Sequence, residues 1–545
     1  MEHDAACWAE ARHFLGTSDD PVAHHTALLD DLNLMRLCCH PTAQTSQVCW
    51  GAGRTNGSKQ LYDPSSKERL SFTHRYVECC FQRLRRLVDD DKEPAWMETQ
   101  LGADLAPWAG RPSLSAGELD AFEAGLKARD QAESFCRFQV RRKGISHCDF
   151  GQSRYYSLLN TLRDALHVLQ TLTELPELDF FVHTNEVFGV GFTDMGSSAS
   201  APASVLPLNL SIPVLVQAQT EGSGGVLMPW WAYLQLGWTR RYGETIQKSS
   251  AKHPWDEREP RIFWRGSDTG CLLPDSCAGT GCQCSNWTQS NWVRFPRSRL
   301  ALLSSLLPDR VDAKFTKDTV HASCAEAYEA ANLRVDEIVP PERHLRYRYL
   351  MYVDGLSFSD RLFWLSLTGS LIFRAESKIR VWLDGGLRPW RHHLPVREDL
   401  TDLVDRLEWA RQHEDRCQEI AEEGVRFATE ELSLEGNLHY LYRLLLRLAA
   451  VLPAPAGAEG EPEPAGDGEE EAPMEASGTG SVACWALGYT PEFCCNLDQF
   501  GAGGNHACWD GPYTFETCCT GELADLAYWR ARDARSQVSR PARRT

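Results

Sequence analysis

No stretch of this 545-residue chain approaches the roughly 18 uninterrupted apolar residues that a membrane-crossing helix requires. The best candidate, "YLYRLLLRLAAVL" from Tyr440, is broken by Arg443 and Arg447, so no membrane span is predicted. Basic excess is lacking too. The 56 lysines and arginines stand against 75 acids, for a formal charge of -19, which argues against polyanionic partners such as nucleic acid or an anionic membrane surface. Neither a Walker phosphate loop nor a GxGxxG dinucleotide fingerprint occurs. The opening "MEHDAACWAE" shows neither the basic nor the apolar region of a secretory signal.

What is abundant is cysteine. Twenty cysteines, many in adjacent pairs, would be a liability in a reducing cytosol and predict an oxidising lumen, in the secretory pathway or outside the cell. Possible glycosylation triplets at Asn56, Asn209 and Asn286 agree with that route but occur often by chance. The order Cys-Trp, Cys-Cys, Cys-Trp, Cys-Cys appears twice, at Cys7, Cys38, Cys49 and Cys79, and again at Cys484, Cys494, Cys508 and Cys518. Segments this short need staples to fold, and three disulfides per module is the natural reading. Zinc is the competing reading. It fits less well because CxxC pairs are absent, and adjacent cysteines in an extended chain point in opposite directions.

The chain therefore divides into an N-terminal cysteine-rich module (1–91), a linker with a possible helix (92–135), a main body (136–450), an acidic Pro/Gly/Ala/Glu-rich linker (451–481), a C-terminal cysteine-rich module (482–522) and a basic tail (523–545). The acidic linker cannot offset the entropy of ordering and is predicted to be a flexible tether.

The body alternates helices with strands. Leu158, Leu162, Ala165, Leu166 and Leu169 share one helical face, and Pro176 blocks continuation into the apolar strand before "HTNEVFG". In "FSDRLFWLSLTGSLIFR", Ser359 is a candidate N-cap, Asp360 favours the positive end of the dipole, and Gly369 ends the helix before strand "SLIF". From Asp399, Leu400, Leu403, Val404 and Leu407 repeat at helical spacing, and Ile420, Ala421, Gly424 and Val425 do so again. Such alternation predicts parallel α/β layers.

Three places attract chemistry. Arg361, in the first turn of a predicted helix, combines a guanidinium with free backbone N–H groups, a combination that suits a phosphate or equally a surface ion pair. "RIFWRGSDTG" sets Gly266, Ser267, Thr269 and Gly270 after an apolar strand, where small residues let backbone donors approach a ligand. Glu186 follows another strand, as a catalytic base or as an ordinary loop acid. Trp230 or Trp231 reads as core or as a sugar-stacking face, with core favoured for at least one of the pair. His392 and His393 read as partners of local backbone. "DDD" at Asp89–Asp91 has the look of a metal-binding DxD but follows "RLRRLV", as a charged helix end does.

Taken together, "FWRGSDTG", "VRFPRSRLALLSSLLPDRVDAKFTK", "YRYLMYVDGLSFSDRLFWLSLTGSLIFR" and "LRPWRHHLPVREDLTDL" resemble the core of glycosyltransferase family 90, the Rumi-type protein O-glucosyltransferases and capsule-associated xylosyltransferases, over roughly Cys136 to Leu448. The resemblance implies a GT-B-like α/β fold, two Rossmann-like domains facing across a cleft, with the small disulfide-rich modules outside it. It implies inverting, metal-independent transfer of glucose or xylose from a UDP-sugar to a hydroxyl of a protein or glycan, with no further cofactor. Its donor-binding residues fall on Gly266, Ser267, Arg297, Ser359 and Arg361, and its acceptor base on Glu186. Three departures stand out: glutamate replaces the usual aspartate at 186, Asp268 stands where a basic residue is common, and a cysteine-bearing insertion from Cys271 to about Trp292 separates Ser267 from Arg297. Those departures also fit a transferase-like protein that has lost turnover and uses its cysteine modules to bind a glycan or a surface partner.

Overall fold

The computed structural model describes residues 79–455, apart from 91, 130–131, 143, 149–155, 185–187, 189–209, 236–237, 270–292, 294, 317–324, 336–338 and 356, together with Cys39, 59–62 and 69–72. Glu186, the insertion after Thr269, the three glycosylation triplets, the acidic linker from 456 and the C-terminal module lie outside the described residues. The chain divides into two compact units, Met1–Tyr76 with Glu459–Thr545, and Val77–Ala458. In the first, β1 (Lys59–Tyr62) and β2 (Arg69–Phe72) pair as an antiparallel hairpin.

The second unit begins with three helices, α1 (Gln82–Asp89), α2 (Ala95–Leu105) and α3 (Ala116–Ala128). Ser115 caps α3 by accepting from the Glu118 N–H, while the Glu118 carboxylate accepts from the Ser115 N–H at 2.8 Å, a reciprocal capping box. These helices pack into the body: Trp96 of α2 stacks on Tyr440 with centroids 5.7 Å apart, and Arg137 donates to Asp120 of α3 and to buried Asp179. Residues 92–135, read as a linker, thus belong to the compact unit.

Next come β3 (Phe135–Arg141), β4 (Gly144–His147), α4 (Tyr156–Leu172), β5 (Leu178–His183), β6 (Val214–Val216), β7 (Ala218–Thr220) and β8 (Val226–Leu227). One five-stranded sheet has the order β4-β3-β5-β6-β8. The β5–β6 and β6–β8 pairs are parallel, whereas β3 is antiparallel to both β4 and β5. The departure from all-parallel pairing has a simple cause: only residues 142–143 join β3 to β4, and so short a turn cannot make a crossover. A Cys136–Cys148 disulfide ties this hairpin. All six residues of β5 are buried, as a strand covered on both faces requires. On α4, Leu158, Leu162, Ala165, Leu166 and Leu169 are all buried.

The second half contains α5 (Trp231–Leu234), α6 (Trp238–Ser250), β9 (Glu259–Gly266), α7 (Pro296–Leu306), β10 (Val311–Phe315), α8 (Ala325–Ala330), α9 (Pro341–His344), β11 (Tyr347–Tyr352), α10 (Leu362–Leu367), β12 (Leu371–Ala375), β13 (Ile379–Val381) and β14 (Leu394–Val396). It closes with α11 (Leu403–Gln412), α12 (Glu414–Glu430) and α13 (Leu434–Leu448). The second sheet, β10-β9-β11-β12-β14, is parallel throughout. One core cluster joins Ile262, Tyr349, Met351, Val353, Leu371 and Phe373 of its strands to Leu300 of α7 and Ile420 of α12. Leu400, expected inside a helix, has a φ of 60°, and α11 starts only at Leu403. The apolar stretch from Tyr440 forms α13, buried nearly all round, with Arg447 paired to Glu93 at 2.9 Å. Among the described residues no helix is long and apolar enough to cross a membrane.

The two sheets are joined by short stitches. β13 pairs antiparallel with β7, and the Tyr233 hydroxyl of α5 donates to the Asp360 carbonyl at 3.0 Å while accepting from the Phe363 N–H at 3.2 Å. Trp230, buried as core, meets Phe358 edge to face. α2 contributes as well: Asp104 accepts from the Leu227 N–H at 3.2 Å and Gln100 accepts from the Gly385 N–H at 3.1 Å. Burial raises the Asp104 carboxyl from 3.8 to about 6, against the pull of Gln100, Leu227 and Arg380. The unfolded chain loses this proton near 3.8 and the folded chain only near 6, so the folded state binds more protons between these values and stability falls as pH rises through that window. Asp104→Asn cannot ionise. In urea titrations it should lose about 2 kcal/mol less than the parent between pH 4 and 7, on a scale of about 1.4 kcal/mol per unit discounted for partial exposure. Superimposable pH profiles for the two proteins would remove Asp104 from the account.

Candidate functional site

In the parallel sheet the chain runs from β9 outward to β10, then returns to the other side of β9 to form β11. The direction of winding therefore reverses between β9 and β11. In open α/β sheets, ligands bind beyond the carboxyl ends of the strands at such a switch point. The loops that leave these two strands are Gly266–Thr269 and Val353–Gly355, and one side chain joins them.

That side chain is Arg297, in the first turn of α7, whose first position is Pro296. Its guanidinium donates to the Thr269 hydroxyl at 2.7 Å, the Ser267 carbonyl at 3.1 Å and the Val353 carbonyl at 3.2 Å, and it lies 5.7 Å from the ring of Trp264. It is 5% exposed. Burial, reinforced by the nearby charge of Arg361, pushes its pKa down to about 9, while Asp354 and Asp268 pull the other way. A guanidinium with a depressed pKa beside a second cation is a site that an anion would stabilise.

Arg361 supplies the second cation. Its guanidinium donates to the carbonyl of Arg265, and a methyl group built on Gly266 would stand 3.3 Å from its Nη1. Burial lowers its pKa, with Asp360 opposing. The same methyl on Gly266 would meet the Trp264 ring at 2.6 Å, so only glycine fits between that ring and the Arg361 guanidinium. His344, Trp364 and Phe263 stack edge to face beneath the adjoining turn, and burial with the nearby Arg361 charge holds His344 neutral, at about 3.

The structure therefore brings Gly266, Ser267, Arg297 and Arg361 to one place. Ser359 is there too, but not as a helix cap. Its N–H donates to the Tyr352 hydroxyl at 2.8 Å and its carbonyl accepts from that hydroxyl at 3.1 Å. Pinned to the end of β11, residues 359–361 form a turn, and α10 begins at Leu362 with Arg361 in the N-cap position. Glu186 lies outside the described residues, three positions after β5 ends. Of the paired histidines, His392 accepts from the Arg388 N–H at 3.0 Å and stacks on Phe427. "DDD" begins at the last residue of α1.

The sequence reading passed over the second loop. Val353 offers Arg297 a carbonyl, and Gly355 is what lets the guanidinium come so close: a methyl there would stand 2.9 Å from both Arg297 Nη2 and Thr269 Oγ1. The signal was a glycine just after a wholly buried strand. Gly355→Ala should displace the guanidinium and weaken pyrophosphate binding about tenfold, near 1.4 kcal/mol, measured by calorimetry. Equal affinity in the variant would show that the anion does not use Arg297.

Residues 284–456 match the family model described as Glycosyl transferase family 90. Protein O-glucosyltransferase 1 of Homo sapiens is 24% identical over 346 residues, which cover 60% of this chain and 76% of that one. The O-glucosyltransferase rumi homolog of Aedes aegypti is 26% identical over 249 residues, 43% of this chain and 55% of its own. The uncharacterized protein 035R of Invertebrate iridescent virus 3 is 29% identical over 205 residues, 36% of this chain and only 17% of the viral protein. Among solved structures, Anabaena Alr3699/HepE in complex with UDP-glucose is similar at 9% identity and a TM-score of 0.30, covering 53% of this chain and 77% of that one. Arg297, Gly355 and Arg361 all fall inside the matched segment, and the chain is a glycosyltransferase in which residues 284–456 are similar to family 90.

Proposed function

We propose that this glycosyltransferase takes glucose or xylose from a UDP-sugar, without a metal, and passes it with inversion to a hydroxyl of a protein or glycan. The observation that carries the reading is the pair of guanidiniums at the carboxyl ends of β9 and β11, Arg297 bonded to the Ser267 carbonyl and lying against Gly355, and Arg361 bonded to the Arg265 carbonyl and lying against Gly266. A UDP diphosphate gains negative charge as the glycosidic bond breaks. Cations already fixed in place therefore stabilise the transition state more than the ground state. Gly266 and Ser267 line the diphosphate, and Ser359 sets the turn that carries Arg361. The relatives named as protein O-glucosyltransferases support the choice of donor and acceptor class.

Inversion needs a carboxylate on the face opposite the departing nucleotide, to take the acceptor proton as its oxygen attacks the anomeric carbon. We assign that role to Glu186, which follows β5 in the other sheet. A lumenal setting fits the chemistry of the cysteines: Cys136 is bonded to Cys148, and Cys39, Cys79 and Cys80 are disulfide-bonded. The cysteine-rich modules, on their tether, raise the local concentration of a macromolecular acceptor.

Two measurements test this. With purified protein and UDP-glucose or UDP-xylose, Arg361→Ala should lower kcat/KM roughly 10- to 150-fold, the effect of losing a charge-assisted hydrogen bond of about 1.5–3 kcal/mol. Glu186→Gln should lower transfer to acceptor while UDP still binds. No turnover by the parent protein, with no UDP binding, would favour a non-catalytic binding role. Separately, deleting residues 482–522 should raise KM for a protein acceptor and leave donor hydrolysis unchanged, and an unaltered acceptor KM would show that the module does not recruit.

A further inference from the structure

One acid at the switch point has no part in the reading above. Asp354 lies two positions past the end of β11, between Val353, whose carbonyl holds Arg297, and Gly355, whose bare Cα admits it. Along β11 the side chains of Tyr349, Met351 and Val353 enter the core cluster with α7. Residues two apart share a face, so Asp354 shares the opposite face with Tyr352, which the Arg374 guanidinium approaches to 5.9 Å. Arg374 is already engaged at 2.9 Å with Asp384, which also accepts from the Val381 N–H at 2.8 Å. It is therefore not free to serve as the sole partner of Asp354.

Among the described residues the buried Oδ1 of Asp354 meets no hydrogen-bond donor. Three residues on, the Ser357 hydroxyl, and in the first turn of α7 the Ser298 hydroxyl and Arg297 Nε, are likewise buried without a partner among the described residues. More than nine in ten buried polar groups are satisfied in folded proteins. Unmet capacity on the segment after β11 and on the first turn of α7 therefore marks a place where a polar ligand completes the set. A carboxylate only accepts hydrogen bonds when ionised. It repels phosphate, so its complement is a hydroxyl on the part of the ligand flanking the diphosphate. Burial raises the Asp354 carboxyl, while the Ser377 hydroxyl and the positive charge of Arg374 and Arg297 favour its ionised form, and Glu398 lies near with like charge.

Resting on the UDP-sugar reading, we propose that Asp354 is a donor-binding residue whose Oδ1 accepts a hydrogen bond from a hydroxyl of the sugar nucleotide, either the ribose 2′-hydroxyl or a hydroxyl of the transferred sugar.

The test is calorimetry on the full chain with UDP-glucose, UDP and 2′-deoxy-UDP, comparing the parent with Asp354→Asn and Asp354→Ala. Contact with the transferred sugar predicts that both variants bind UDP-glucose about tenfold more weakly and both nucleotides as the parent does. Contact with the ribose predicts weaker binding of UDP-glucose and UDP, and parental affinity for 2′-deoxy-UDP. Equal losses for all three ligands would mean that the residue only supports the fold, and no loss for any would mean that it touches no donor; either result overturns the proposal. Arg361→Ala, run alongside, keeps the two readings apart. If it binds UDP as the parent does, the diphosphate assignment fails, whatever Asp354 does.

Discussion

The candidate site depends on one guanidinium that binds two loops together. Arg297 reaches from the first turn of α7 to the Ser267 carbonyl and Thr269 hydroxyl after β9 and to the Val353 carbonyl after β11. Each bond from a charged donor contributes on the order of 1.5–3 kcal/mol. The arrangement works only because both loops leave a glycine where the guanidiniums press, Gly355 under Arg297 and Gly266 under Arg361. Remove the arginine, and the loops at the switch point lose their common partner. Its depressed pKa is the counterpart of that burial: the fold holds a cation out of water, beside another, in a place that an anion would stabilise.

The same region is where the two sheets meet. Tyr233 of α5 bonds to the backbone of Asp360 and Phe363 on either side of Arg361, and Trp230 and Phe358 meet edge to face nearby. β13 and β7 pair across the halves, and Asp384, at the end of that stretch, holds Arg374 on the strand next to Asp354. The turn that presents Arg361 is therefore fixed from two directions, by Tyr352 of β11 and by Tyr233 of α5. That explains how a helix of six residues, with no side-chain cap, presents its first residues in a defined place.

Much of this was legible from residue patterns. The buried face of α4, the break at Pro176 before β5, and the end of α10 at Gly369, whose φ is +68°, all follow from local rules. Arg361 and Ser267 were legible because a resemblance of order and spacing pointed at them. What escaped was tertiary. Ser359 has the composition of a cap, but Tyr352, seven residues earlier, claims its backbone on both sides. Leu400 fits a helical period yet sits at positive φ. The helices of residues 92–135 are amphipathic enough to be found, but only the packing of Trp96 against Tyr440, far along the chain, shows that they belong to the body. Asp354 gave no local signal at all, since its significance lies in the reversal of strand order between β9 and β11.

The most direct measurement is a crystal structure of the full chain with UDP bound. The account predicts the β-phosphate between the guanidiniums of Arg297 and Arg361, against the backbone of Gly266 and Ser267. UDP seated elsewhere, with both arginines still bonded only to protein carbonyls and the Thr269 hydroxyl, would contradict it.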